Sequence, residues 1–522
     1  MRIPMLRCSF ATIALPLVWA CSGDDSTDGK TDPVTDGDAD TDADADADAD
    51  ADSDSDSDAD TDTAPDAVLT AATCTIQPSN ALRFDCALTT SSAGTVHVRL
   101  LDGGVELGTW ADATVSSSHT VTLWGMTPSS TYQFEAWADE TPGTVLSGDL
   151  TTGALPPAVD VALPVTSTGS HDTRFVLFDW ACGGVGAPEA LLIARDDGQV
   201  VWYQLPDQIS ADDDNFYGFS LTPEGTILAL LERTRAVEWD LGGNLLLNLT
   251  LDGGGLTHYT HHAIERVNGL TYAMTAVGIV YPDGNNYAMD GFDVIDGEAG
   301  VIASWSSEGL FDPQLVGPAL GSYWGNQLGI GASDWSHANA IGLSPTNDVY
   351  VSMRYLDAII KVVGDPADPA FGTVEWVMLG GDSPGIPYDN DFTLLSTTGV
   401  APVNFGQQHH VSVDPQGDLL MWDNRYDPTS NSRGLRVHVD ETAMTADLVE
   451  AWDSGSWCPG RGSAFELPSG NLLGDCSPEN TVVELADQTS EIVWSLEATC
   501  VNGTVPDHML YRAIPLDPYP HD

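Results

Sequence analysis

Three of the chain's 12 histidines recur at nearly one interval. His262, His337 and His409 stand 75 and 72 residues apart, and each opens a strand-turn-strand pattern. Gln408-His409 begins an apolar run to Val413, then a Pro415-Gln416-Gly417-Asp418 turn and a second strand ending in Trp422-Asp423-Asn424. His262 precedes Ala263-Ile264-Glu265-Arg266-Val267 and an Asn268-Gly269 turn. His337 lies in Asp334-Trp335-Ser336-His337-Ala338-Asn339, with a turn at Pro345-Thr346-Asn347-Asp348. Successive strand residues face opposite ways, so at most one of His409 and His410 can face a given site. The same alternation puts Asn339 on the face of His337, and Arg354 ends the following strand. Three imidazoles, an amide and a guanidinium suit a tetrahedral oxyanion: Arg offers a planar fork of donors, and His and Asn cover the remaining oxygens. A neutral imidazole nitrogen is also a nucleophile toward activated sulfur or phosphorus. Orientation alone can lower such a barrier by about 7–11 kcal/mol at best.

A lone histidine at a strand start is usually structural, and His258, His261 and His410 are read that way. The set in register with Asn339 and Arg354 is read otherwise. A three-histidine metal site is the alternative chemistry. Arg354 beside the cluster favours an anion, so no metal and no cofactor is expected. Asp423-Asn424 reads as turn chemistry.

The elements that must position these groups repeat along the chain. A closing Trp recurs at Trp202, Trp239, Trp305, Trp376, Trp452 and Trp494, each read as core. Paired turns and strands begin at Pro223, Pro345, Pro415 and Pro468. Short strands with a closing Trp are how a propeller blade reads, and six tryptophans predict an all-β, six-bladed β-propeller over 160–522. In that fold the leading strands of successive blades converge, bringing the three histidines to one axial pocket. Insertions at about 279–333 and 380–406 would cover it. A terminal strand, Met509 to Ile514, would close the ring.

Leu155-Pro156-Pro157 marks the propeller's start. Before it, residues 67–155 predict a small β-sandwich. Its Pro128-x-x-x-Tyr132 resembles the tyrosine corner of fibronectin type III domains, and it reads as a spacer or docking module. Residues 22–66, with Asp alternating with Ala, Ser and Thr, read as a disordered, self-repelling tether. The turn glycine and distal glutamate of a calcium loop are missing there. Residues 1–21 read as an export signal, and Val18-Trp19-Ala20-Cys21 resembles a lipobox in which Cys21 is lipidated; a simple cleaved signal is the alternative. The six further cysteines favour disulfides, Cys74–Cys86 first and Cys458–Cys476 next. A net charge of −61 excludes nucleic acid as a partner, since a polyanion would be repelled.

His262-Ala-Ile, Asp334-Trp335-x-His337-x-Asn339, Ser352-x-Arg354 and Gln408-His409 with the downstream Pro-x-Gly-Asp turn resemble the bacterial arylsulfate sulfotransferases over roughly 160–515. The resemblance implies an exported six-bladed propeller that moves a sulfuryl group from a phenolic sulfate to an acceptor phenol without a nucleotide donor. It makes His409 the residue that takes up the sulfuryl group as a sulfohistidine. His262, His337, Asn339 and Arg354 become the anion-holding set, with Gln408 beside the substrate. His410 departs from the family pattern, which has Asp there. The expected location is the periplasm or cell surface of a Gram-negative-type bacterium, at the outer membrane through a lipid anchor. The competing readings are a non-catalytic surface-binding propeller and a metal-dependent hydrolase or lyase.

Overall fold

The computed structural model describes residues 66–159, 161–182, 189–206, 215–251, 253–316, 331–381, 393–399, 401–476, 480–501 and 510–520. The export signal, Cys21, nearly all of the Asp-rich tether, and residues 317–330 and 382–392 of the two insertions lie outside them.

Among the described residues of the second part of the chain, six antiparallel sheets of four or five strands follow one another. Sheet I joins Val200–Gln204, Ala190–Arg195 and Phe175–Trp180 to the C-terminal Ala513–Pro515. Sheets II to V begin at Phe216–Leu221, Tyr259–Val267, Ala338–Leu343 and His409–Val413 and take their strands in sequence order. Sheet VI begins at Ala464–Glu466 and ends on Val165–Ser167, which comes from before sheet I. The two chain ends are therefore stitched into the first and last sheets. The predicted closing strand is shorter than expected but pairs as expected, Ala513 opposite Phe178.

The inner strands of the sheets, such as Ala190–Arg195, Ile227–Leu231 and Val349–Met353, are apolar because they are buried on both faces. Separate clusters of buried side chains bridge I to II, II to III, III to IV, IV to V and V to VI. A further cluster bridges VI back to I through Trp494, Leu496, Val176 and Phe178. The succession thus returns to its start. All six closing tryptophans are buried. Five sit on the fourth strand counted from the leading one; Trp239 sits on the third.

Residues 69–151 form one five-stranded antiparallel sheet rather than two separate ones. Its long strand Asn80–Asp102 pairs with Leu69–Gln77, Val105–Leu123 and Thr131–Ala138 along different parts of its length. Register shifts between Thr89 and Val96 interrupt the ladder, and Leu69–Gln77 packs back near Leu146–Thr151 around a common core. The tyrosine-corner hydrogen bond is present: Thr127 N–H donates to Tyr132 Oη at 2.9 Å. This unit is fastened to sheet I and to the C-terminal tail. Asn80 Nδ2 donates to Tyr203 O (2.9 Å), Trp124 Nε1 to Pro518 O (2.7 Å) and Tyr519 Oη to Gly125 O (2.7 Å). The disulfides are Cys74–Cys86, Cys458–Cys476 and Cys182–Cys500, the last tying sheet I to the chain's end.

Candidate active site

The leading strands of sheets II to V share an irregularity that regular strand counting does not foresee. Each carries a register shift near its start: at Phe216/Gly218, Thr260/Ile264, Ala338/Ala340 and His409/Val411. A bulge bends its strand and re-aims a side chain, which is why bulges gather at active sites. Left-handed backbone accompanies them, at His262 (φ 57°), His337 (49°), Gln407 (55°) and His410 (51°). Such conformations cost of order 1–3 kcal/mol each and persist only where the surroundings enforce them. Part of the enforcement is visible at Gly218: a Cβ there would stand 2.5 Å from His262 O, so only glycine lets these two strands approach. Tyr511 Oη completes the clasp, donating to His262 O (3.2 Å) and Asn339 O (3.1 Å).

These strands bring His262, His337, Arg354 and His409 to one cavity of about 320 Å³, a volume typical of small-molecule sites. Phe216, Tyr217, Tyr355 and Tyr511 give it aromatic walls. Sheet V supplies His409, and a network fixes its tautomer. Asn424 Nδ2 donates to Cys458 O and Arg461 O, both at 2.7 Å. Its Oδ1 must therefore accept, and it lies 2.7 Å from His409 Nδ1. His409 thus carries its proton on Nδ1 and its lone pair on Nε2, which accepts the Arg461 backbone N–H at 3.1 Å. Burial first, then the Arg354 charge, hold the His409 imidazole well below its usual range, so it is neutral near pH 7.

The other two histidines are held by carboxylates. His337 Nδ1 lies 2.5 Å from Asp334 Oδ2. His262 Nδ1 faces His261 Nδ1 at 2.7 Å, and His261 Nε2 lies 3.3 Å from Asp290 Oδ1. Only one of the two facing Nδ1 atoms carries the proton of that bond. Burial and then the neighbouring His261, His337, His409 and Arg354 push His262 well below its usual range. Arg354 follows Val349–Met353, donates from Nη2 to Pro459 O (3.1 Å) and packs its guanidinium 5.4 Å from the Tyr355 ring centre. Burial lowers its pKa from the usual arginine value.

Residues 186–509 match the arylsulfotransferase (ASST) family. The chain belongs to that family. Membership carries arylsulfotransferase activity in general, with a sulfate donor and a phenol acceptor. No curated protein matches the chain. Among solved structures, a Bacteroides caccae protein of unknown function is similar at 12% identity and TM-score 0.37, over 66% of this chain and 99% of that one. Virginiamycin B lyase from Staphylococcus aureus is similar at 10% identity and TM-score 0.30, over 65% and 89%.

Two residues expected at the arylsulfotransferase site do not line the cavity. Asn339 is turned by the bulge and by left-handed His337, and its Nδ2 donates to Gln408 O at 2.8 Å. Gln408 is buried, its Nε2 donating to Met353 O (3.2 Å) and Ala358 O (3.0 Å). These bonds join the strands around them to one another. His410 points away as expected, with its ring 4.6 Å from Phe465. His258 hydrogen-bonds Asp293, also as read. Asn424 is not mere turn chemistry, because it orients His409. Sequence reasoning missed Arg461, Tyr511, Asp179 and Glu189 on the cavity wall. With only 17 lysines and arginines in the chain, the Gly460-Arg461-Gly462 run was the available signal. Asp179 and Tyr511 fall outside the family match. Among the described residues, no group of three His, Cys, Asp or Glu is arranged to hold a metal ion.

Proposed function

We propose that this arylsulfotransferase works by a ping-pong mechanism through a sulfohistidine, independent of any nucleotide sulfate. The observation that carries the reading is the fixed lone pair on His409 Nε2 in a cavity shared with Arg354 and aromatic walls. The donor's aryl ring rests against Phe216, Tyr217 and Tyr355, and Arg354 takes the sulfate oxygens through its planar fork. His409 Nε2 attacks sulfur, the S–O bond to the phenol breaks, and the sulfuryl group stays on the imidazole. Asn424 Oδ1, on the Nδ1 proton, stabilises the positive charge that develops on the ring. The Arg461 N–H is released from Nε2 and becomes a donor for a sulfuryl oxygen. An acceptor phenol then attacks sulfur from the vacated position and restores the neutral imidazole.

The scaffold we propose for this chemistry is a six-bladed propeller carrying a fibronectin-III-like unit, exported and anchored at the outer membrane through Cys21. The catalytic test is an assay of 4-nitrophenyl sulfate with phenol as acceptor, following nitrophenol release and sulfated phenol together. Wild type is expected to yield both and His409→Ala neither. Undiminished transfer by His409→Ala would exclude the mechanism.

A further inference from the structure

Sulfuryl transfer leaves a proton to be assigned. The departing phenol oxygen gains one and the acceptor phenol loses one, yet His409 has no proton to offer. Its Nε2 is the bond-forming atom and its Nδ1–H is committed to Asn424. His262 is held neutral by burial and ties up its Nδ1 in one hydrogen bond with His261. The cavity also contains an arrangement that an anion site by itself does not explain: two carboxyl groups, Asp179 and Glu189, on its wall. As carboxylates both would repel a sulfate ester.

Both are buried on the wall of that one cavity, and neighbouring carboxyl groups out of water do not both ionise at ordinary cost, so Glu189 retains its proton. The pair is also held in place. Glu189 Oε2 accepts Phe216 N–H at 2.7 Å, and Asp179 Oδ1 accepts Tyr511 N–H at 2.9 Å. Phe216 and Tyr511 are aromatic walls of the cavity, so the carboxyl pair is anchored to the backbone of residues that line it. Burial, then Asp179, push Glu189 well above the usual carboxyl range; the Phe216 N–H and the Arg461 charge pull it back. Arg461 thereby favours the ionised form once the proton has gone.

We propose that Glu189, paired with Asp179, gives its proton to the leaving phenol oxygen in the first half-reaction and takes one from the acceptor phenol in the second. In the first step the aryl sulfate anion, neutral His409 and the Glu189 acid become a phenol, the zwitterionic sulfohistidine and the Glu189 carboxylate, with one negative charge on each side. The second step reverses it with the new phenol. This assignment rests on the sulfohistidine reading above.

The test uses the full-length protein and two donors, 4-nitrophenyl sulfate, whose phenolate leaves without help, and phenyl sulfate, whose phenolate needs a proton. In a single turnover without acceptor, Glu189→Gln is expected to slow phenol release from phenyl sulfate by about 100-fold or more, the lower end of general acid catalysis, and to slow nitrophenol release at least tenfold less. Equal losses with both donors would mean a structural role, and no loss with either would remove any role; both overturn the assignment. The wild type gives a second reading that needs no variant. Its rates should depend only shallowly on the leaving phenol's acidity, and a steep dependence would overturn the proposal even if Glu189→Gln did not fold. A wild type that transfers from no donor would instead sink the sulfohistidine reading itself.

Discussion

The first and fourth strands of the same sheets are built on opposite rules. The first strands of sheets II to V are bulged, carry or adjoin left-handed non-glycine residues in sheets III to V, and bury polar side chains such as Thr260, His261, Asn339 and Gln408. The fourth strands of sheets III to VI carry one register shift each as well, but no left-handed residue lies within them and each buries a tryptophan. Strain and buried polarity cost stability; dense aromatic packing supplies it. The molecule therefore separates the two along each sheet, with chemistry at the leading edge and cohesion behind it. Damage to one end should leave the other's property intact.

The largest effect is expected at the leading edge. His409→Ala should reduce sulfuryl transfer at least about 1,000-fold, as loss of a covalent nucleophile does, with the thermal midpoint nearly unchanged. Trp452→Ala, fully buried between sheets V and VI, should cost about 3–5 kcal/mol in denaturant unfolding, with normal activity per folded molecule. If the folded fraction of that variant were inactive, the separation would fail. Arg354→Lys keeps the charge but loses the fork, and a loss of about 100-fold in kcat/KM is expected from removing transition-state donors. Asn424→Ala removes the hydrogen bond to His409 together with those to Cys458 O and Arg461 O, and should cost at least about tenfold, one hydrogen bond's net value. That loss should fall in kcat rather than KM, because Asn424 orients His409 without touching the donor.

The smallest effect is in the pH profile. Because burial and Arg354 lower the His409 pKa below the ordinary 6.5, the lone pair persists as pH falls through that value. Wild-type kcat/KM should hold steady from about pH 7.5 to about 6.5, and decline only at lower pH. A midpoint at 6.5 would mean that His409 is as solvated as a surface histidine. The same sign applies to folding: His262, His409 and His410 bind a proton more readily unfolded, so each withdraws stability as pH drops below about 6.5. Glu189, and Asp475 raised to about 8, act in the opposite sense. Their protons are held in the fold and lost on unfolding over the same range, so they oppose the histidines' loss of stability between about pH 5 and 6.5.

The comparison also explains which features were legible from sequence. Fourth-strand tryptophans, turn residues and the histidine interval repeat with the sheets, and repetition is what a single sequence displays. The Cys74–Cys86 pair was legible because both residues lie in one small unit, where they face each other across adjacent strands. Asn339 was misplaced because two-residue alternation fails at a bulge, and the bulge at Ala338/Ala340 is set by tertiary contacts with Tyr511 and Gln408 rather than by local residue type. Glu189 and Arg461 were invisible because they lie outside the strands, at sites with no period to reveal them. The bend that folds residues 69–151 into one sheet likewise depends on long-range packing within a strand that reads as two.

The central claim is that His409 Nε2 bonds to sulfur. The direct measurement is mass spectrometry of protein mixed with 4-nitrophenyl sulfate and no acceptor, quenched at alkaline pH and digested. The account predicts a sulfuryl adduct on the peptide containing His409 that disappears when phenol is added. A wild type that turns over donor and acceptor while every histidine peptide remains unmodified would contradict it.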